Sequence, residues 1–358
     1  MKPNTLKAIS HATLNRVISN STLMTVALTA CAVIAPLYSA NAAVINQTLC
    51  LSRMNKTMSD NKIIEFWGFT ETCNVVGNGE LPGPLVELGV GDTLNLTLSV
   101  PMMSASTPME SMVYPGHTIH LHGADVTPLE DGVPETNGGR VGGDTYTWLP
   151  TAKEAGTYMY HCHVHTVKHL EMGMYGPMIV RPVNPRSTGP ANRYLNQLTP
   201  DVATAYDFIQ TYLLSTVDPD YHNAAAIDDS VVFADYNPQY FLINGKESKT
   251  STGTVAAATL TAARNSKVAL RLIGLHSVRG RFRILDGAGV EKPFTIYVQD
   301  GRQWPTPETV TSIDIGPAQR FDIIFNTPAA AGTWYPQFEY QKMRDSSPYA
   351  TVFGQVTF

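Results

Sequence analysis

Seven of the ten histidines in this 358-residue chain fall in two short stretches. The first is His117-Thr-Ile-His120-Leu-His122-Gly123. The second is His161-Cys162-His163, running on through His165 and His169 to Met174. One cysteine, two histidines and a methionine make the donor set of a blue-copper electron-transfer site, in which thiolate and imidazole grip the metal and a weak thioether helps tune its potential. Cys162 follows Thr157-Tyr158-Met159-Tyr160, a strand-like run. Side chains on a strand alternate faces, so His161 and His163 project to one side and Cys162 to the other. One strand end can therefore serve two adjacent metal centres.

The surrounding sequence resembles the multicopper oxidase and copper nitrite reductase superfamily. Pro82-Gly-Pro-Leu-Val-Glu-Leu-Gly-Val-Gly-Asp92-Thr is similar to the opening of that family's first domain. His120-Leu-His122-Gly123 with Asp131-Gly132-Val133-Pro134 is similar to its first copper loop. Ala155-Gly-Thr-Tyr-Met-Tyr-His161-Cys162-His163 and Met174-Tyr-Gly-Pro-Met-Ile-Val180 are similar to its last two strands. The resemblance covers roughly residues 62–182. A weaker one, through Tyr240–Gly245 and Leu270–Ile273, points to a second, copper-free domain of the same type.

The resemblance implies a type 1 copper site of His117, Cys162, His169 and Met174. The family places the methionine five positions after the ligating histidine, a spacing met by His169 and Met174 and not by His165, whose fifth follower is Leu170. It also implies that His120 holds a type 2 copper, that His122, His161 and His163 hold a type 3 pair, and that Asp131 is a catalytic proton donor for oxygen reduction. The competing reading of Asp131 is a turn residue before Gly132.

The chain also departs from the family pattern. A complete trinuclear site needs two further His-x-His pairs, and the only histidines after residue 169 are His222 and His276. Pro336 to Phe338 stand where one such pair is expected. Three routes follow. Two chains can face each other in a homo-oligomer; a neighbour's His276 or His222 can join His120 and His161 in a three-histidine site, as in the nitrite reductases; or the protein is a non-catalytic electron carrier or copper-handling protein. The electron donor is open among small reductants such as phenols, cuprous ion and a cytochrome. Met102, Met103, Met109 and Met112 precede the first histidine motif; they offer soft ligands for Cu(I) or pliable packing.

Composition agrees with an exported β protein. Lys2, Lys7 and Arg16 precede an apolar run, Leu23 to Leu37, and Ala40-Asn41-Ala42 forms a cleavage site, so residues 1–42 read as a signal peptide. The run is short for a stable membrane span, and Leu28-Thr-Ala-Cys31 is the alternative, a lipoprotein box. Removing the leader leaves 22 basic against 30 acidic side chains, a net charge of −8 that favours a basic partner. No basic stretch suits nucleic acid. Cys50 and Cys73 can pair in an oxidising compartment, the periplasm or the exterior, which leaves Cys162 as the odd thiol.

Frequent Gly and Pro, scarce charge and many short alternating segments predict an all-β chain of two Greek-key β-sandwich domains, which the resemblance implies are cupredoxin-like. The expected division is a copper-binding domain at 43–184, a linker at 185–204 and a copper-free domain at 205–358. Residues 43–60 read as a polar lead-in, and Val231–Phe241 as the opening of the second domain.

Overall fold

Four sheets make up the fold in this computed structural model, which describes residues 42–75, 77–100, 116–140, 145–148, 151–183, 196–228, 231–232, 235–247 and 254–358. The signal segment up to residue 41, the Met-rich stretch 101–112 and most of the linker lie outside the described residues. The first sandwich contains β1 (Val44–Thr57), β2 (Ile63–Thr70), β3 (Val86–Gly89), β4 (Thr93–Ser99), β5 (His120–His122), β6 (Thr145–Trp148), β7 (Gly156–His161) and β8 (Tyr175–Arg181). One of its sheets has the order β2-β1-β4-β6 and the other β3-β8-β7-β5. Two short helices belong to its loops, α1 (Pro134–Asn137) and α2 (Thr166–Glu171).

The second sandwich contains β9 (Phe208–Val217), β10 (Tyr240–Ile243), β11 (Lys246–Glu247), β12 (Thr254–Thr261), β13 (Lys267–Leu275), β14 (Arg279–Asp286), β15 (Phe294–Gln299), β16 (Arg302–Val310), β17 (Ser312–Ile315), β18 (Arg320–Asn326), β19 (Thr333–Gln341) and β20 (Pro348–Thr357). Its sheets run β11-β10-β9-β13-β18-β15-β16 and β12-β20-β19-β14-β17. The all-β, cupredoxin-like expectation is met.

Two local readings are corrected. The supposed polar lead-in is β1, antiparallel to β2 and parallel to β4. Its apolar centre, Leu49, Cys50 and Leu51, is buried, while partly or fully exposed polar residues at both ends hide the pattern. The second sandwich opens at β9, ahead of Val231; among the described residues of the segment Val231–Phe241, Tyr240 and Phe241 enter a strand. Between β9 and β10 the chain turns back through α3 (Pro219–Ala225), whose Tyr221 and Ala225 join the first core.

Each sandwich has its own apolar core. Leu49, Trp67, Leu96, Leu121, Tyr160 and Cys162 lie in the first, and Leu270, Phe282, Ile323 and Phe338 in the second. Leu121 points into the core between two outward histidines of β5, as strand alternation requires. Replacing such a leucine by alanine costs about 2–5 kcal/mol.

Both sandwiches belong to one compact unit spanning Ser39–Phe358. Met159 and Tyr175 pack on Leu213 and Ile273 across the junction. Beside them Arg271 Nη1 donates to Asp322 Oδ2 and to Thr157 Oγ1, both at 2.8 Å, and Thr157 Oγ1 also donates to Asp322 Oδ1. The Asp322 carboxyl is raised above its usual range by burial, against the pull of Arg271. The polar triad thus locks β7, the strand leading to His161, onto the second sandwich. Cys50 and Cys73 form a disulfide with Cα atoms 5.4 Å apart.

Candidate metal centres

Strand β7 ends at His161, and the next two residues leave it in opposite directions. Cys162 turns inward. Its Sγ lies 3.0 Å from His169 Nδ1 and 3.6 Å from His117 Nδ1. The His117 and His169 rings stack with centroids 4.8 Å apart, and His117, Cys162 and His169 are all 0% exposed. In a tetrahedral site with metal–sulfur near 2.3 Å and metal–nitrogen near 2.0 Å, sulfur and nitrogen stand about 3.5 Å apart. Cys162 and His117 are therefore already at ligand spacing, and His169 lies somewhat closer to the sulfur than a shared metal would hold it. Met174, also 0% exposed, is stitched to both: its N–H donates to His169 O at 2.9 Å, and its carbonyl accepts the Cys162 N–H at 3.1 Å.

Electrostatics favour a metal here over free ions. Burial pushes the Cys162 thiol up to about 12. Burial, with His117 next, holds the His169 imidazole well below its usual range. An un-ionised thiol and a neutral His169 imidazole are what an apolar pocket imposes without a cation, and a bound cation would release the thiol proton. His169 Nε2 is buried without a partner.

His161 faces the other way and meets the β5 histidines. Its backbone pairs with His120, and His122 Nδ1 lies 3.2 Å from His161 Nε2. Ring nitrogens of His120, His122 and His161 all lie within 4.8 Å of one another. His163 joins by ring contacts, 4.9 Å from His120 and 5.7 Å from His161, and its N–H donates to Thr118 Oγ1. Two imidazole nitrogens on one tetrahedral metal stand about 3.3 Å apart, close to the His122–His161 pair. Burial depresses His161 to about 3 and His122 to about 4, Arg320 adding to the second. His120 is lowered by burial, with Asp131 opposing it.

Asp131 does not stand apart as a free carboxyl. His120 Nδ1 lies 2.7 Å from its backbone oxygen and 3.2 Å from its Oδ1. A carbonyl only accepts, so Nδ1 carries the proton and Nε2 keeps its lone pair for a metal. Gly132 makes this approach possible: at φ 72°, an added Cβ would strike the Ile119 carbonyl.

The four histidines open onto a cavity of about 280 Å³, also lined by Thr166, Leu170, Glu171, Ala318 and His276. The His276 of the same chain therefore reaches this cavity from the second sandwich; the sequence reading assigned that role to a neighbour's residue. Its Nδ1 is 2.9 Å from Val278 O, and its buried Nε2 has no partner. His222 instead packs on Phe66 and bonds Glu65 O. Pro336, Gln337 and Phe338 lie within β19, and Phe338 belongs to the second core. Sequence reasoning passed over Arg320, whose guanidinium packs against Gly123 beside His122, and Glu171. Neither carries a motif.

Sequence profiles described as multicopper oxidase match residues 60–185 and 218–353. Copper resistance protein A of Pseudomonas syringae pv. tomato is 25% identical over 290 residues, 73% of this chain and 44% of that protein. The chain spans less than half the length of the curated relatives it matches. Among solved structures, blue copper oxidase from Nitrosomonas europaea superposes with a TM-score of 0.63 at 22% identity, covering 88% of this chain and 85% of that one. Copper nitrite reductase from Nitrosomonas europaea gives 0.58 at 17%, covering 88% and 94%. With two matching profiles, a cupredoxin-like fold and clustered copper donors, the chain belongs to the multicopper oxidase superfamily.

Proposed function

We propose that this chain is an exported, copper-dependent oxidoreductase. It accepts electrons singly at a type 1 site of His117, Cys162, His169 and Met174. It delivers them to a type 2/3 site of His120, His122, His161 and His163, where oxygen is reduced to water. The observation that carries the reading is the shared segment His161-Cys162-His163: its thiol is sealed against two imidazoles, while its flanking imidazoles face an open cavity. Copper, when bound, supplies reversible one-electron chemistry and a Lewis-acid position for the substrate.

The protein's own contribution is placement. Burial of Cys162 keeps water and small reductants from the thiol. The covalent path from Cys162 to His161 and His163 is one residue long on either side. His120 is aimed by Asp131, whose carboxyl beside it is the acid we assign to the protons that oxygen reduction consumes. The second sandwich supplies no His-x-His pair, so two first sandwiches facing each other in a homo-oligomer complete the centre with eight histidines. The donor is a small reductant, cuprous ion or a cytochrome.

Nitrite reduction is the second reading, and one observation favours it. His120, His161 and His276 line one cavity and each places Nδ1 against a main-chain carbonyl, which leaves each Nε2 without that proton. Copper content, solution mass and consumption of oxygen and nitrite separate the readings. An oligomer with more than one copper per chain that consumes oxygen supports the first, and nitrite turnover supports the second. A monomer with one copper and neither activity makes the protein an electron carrier.

A further inference from the structure

Glu171 lies on α2, two residues after His169 and three before Met174, and is only 6% exposed. A buried carboxylate on a metal-ligand loop is costly unless it is fully bonded. Its partners come from the far side of the junction. Glu171 Oε1 accepts the Asp218 N–H at 2.8 Å, and Oε2 accepts the Tyr236 hydroxyl at 3.0 Å. His222 Nε2 lies 3.6 Å from Oε1. The Tyr236 hydroxyl is also 2.7 Å from Thr216 Oγ1 at the end of β9. Asp218 is fixed in turn, since its Oδ1 caps α3 through Asp220 and Tyr221 and its Oδ2 accepts the Asn237 N–H at 2.8 Å. Burial and the neighbouring Glu171 carboxylate hold the Tyr236 phenol well above its usual range, so it remains a donor.

The first sandwich alone thus does not hold the loop that carries His169 and Met174. We infer that Glu171 is a positioning residue through which the second sandwich sets the geometry and redox poise of the Cys162 centre. The inference rests on the type 1 reading above. Two physical effects follow. The strut fixes the short segment between the two ligands. Both of its oxygens accept hydrogen bonds, as a carboxylate does, and a negative charge beside the site favours the more highly charged metal state. Donors to the carboxylate temper that charge, so removing one strengthens the effect.

The test uses the full chain loaded with copper, and in parallel with Co(II), whose optical spectrum reports ligand geometry without redox change. Glu171→Gln removes the charge and keeps the size; Tyr236→Phe keeps the charge and removes one donor. Glu171→Gln is expected to shift the preference toward Cu(I) about tenfold, which for a one-electron couple is about 59 mV. Tyr236→Phe is expected to shift it by a smaller factor in the opposite direction, with a displaced Co(II)–thiolate band. Opposite signs distinguish charge from mere loosening. Should Glu171→Gln fail to fold, Tyr236→Phe and Thr216→Val carry the test. A Cu(I)/Cu(II) preference within threefold of the parent in Glu171→Gln, or variants that shift in the same direction, overturns the inference. A parent protein with no thiolate-to-copper band overturns the type 1 reading itself, and this inference with it.

Discussion

Cys162 and His161 are neighbours in sequence, yet their side chains sit in opposite environments. The Cys162 cluster is sealed: all three of its donors have zero exposure, and its surroundings are Trp67, Tyr160, Met172 and other core residues. The four-histidine cluster is half-open and borders a cavity large enough for several small molecules. A sealed site can exchange electrons but not substrate, because nothing can reach the metal position without unpacking the core. An open site lined by imidazoles can take a substrate at a free coordination position. Strand alternation produces this division within one tripeptide.

That contrast breaks most completely if the thiol is removed. Cys162→Ser is expected to abolish the thiolate-to-copper band and reduce steady-state turnover to background, while metal binding at the histidine cavity survives; equilibrium dialysis and optical spectra check both halves. The next largest effect concerns the frame that both clusters share. Asp322→Asn strands Arg271 in the junction and should cost about 3–5 kcal/mol in urea unfolding, whereas a paired apolar replacement of both residues should cost far less.

Acid sharpens the difference from the open side. Burial takes His276 from an ordinary 6.5 down to about 4 in the folded protein. Between those values the unfolded chain holds a proton that the native state lacks. Stability of the metal-free protein should therefore fall as pH drops from about 6.5 to about 4, by about 3 kcal/mol from this residue. His276→Gln should remove this residue's share of that slope, leaving the shares of His122 and His161, without altering the thiolate band. The smallest expected effect is at Asp131. Asp131→Ala keeps the main-chain oxygen that orients His120, so copper affinity should hold within about tenfold while turnover falls about 10²-fold, the contribution of one general acid. Equal losses in both would make Asp131 purely structural.

The sequence is most readable where chemistry demands particular residue types. Histidine and cysteine spacing marks the regions of both clusters because few structural roles need so many imidazoles so close together. It is less readable where meaning depends on distant partners. Glu171 looks like an ordinary helical acid until Asp218 and Tyr236 arrive from beyond β9. Arg271 and Asp322 are 51 residues apart and meet Thr157, 114 residues before Arg271. Strand β16 hides behind Pro305 and Pro307, which a sheet edge tolerates and a central strand does not. Strand β1 hides because only its centre, Leu49 to Ser52, is buried and polar residues interrupt the pattern on both sides.

The central claim is that one strand end serves two different metal sites. Copper titration of the metal-free protein, followed by optical and EPR spectra, tests it most directly. The account predicts two classes of bound copper: one with an intense thiolate-to-copper band and one without thiolate character, totalling more than one copper per chain. A protein that binds copper with no thiolate band, or that saturates at a single copper of one spectral class, would contradict it.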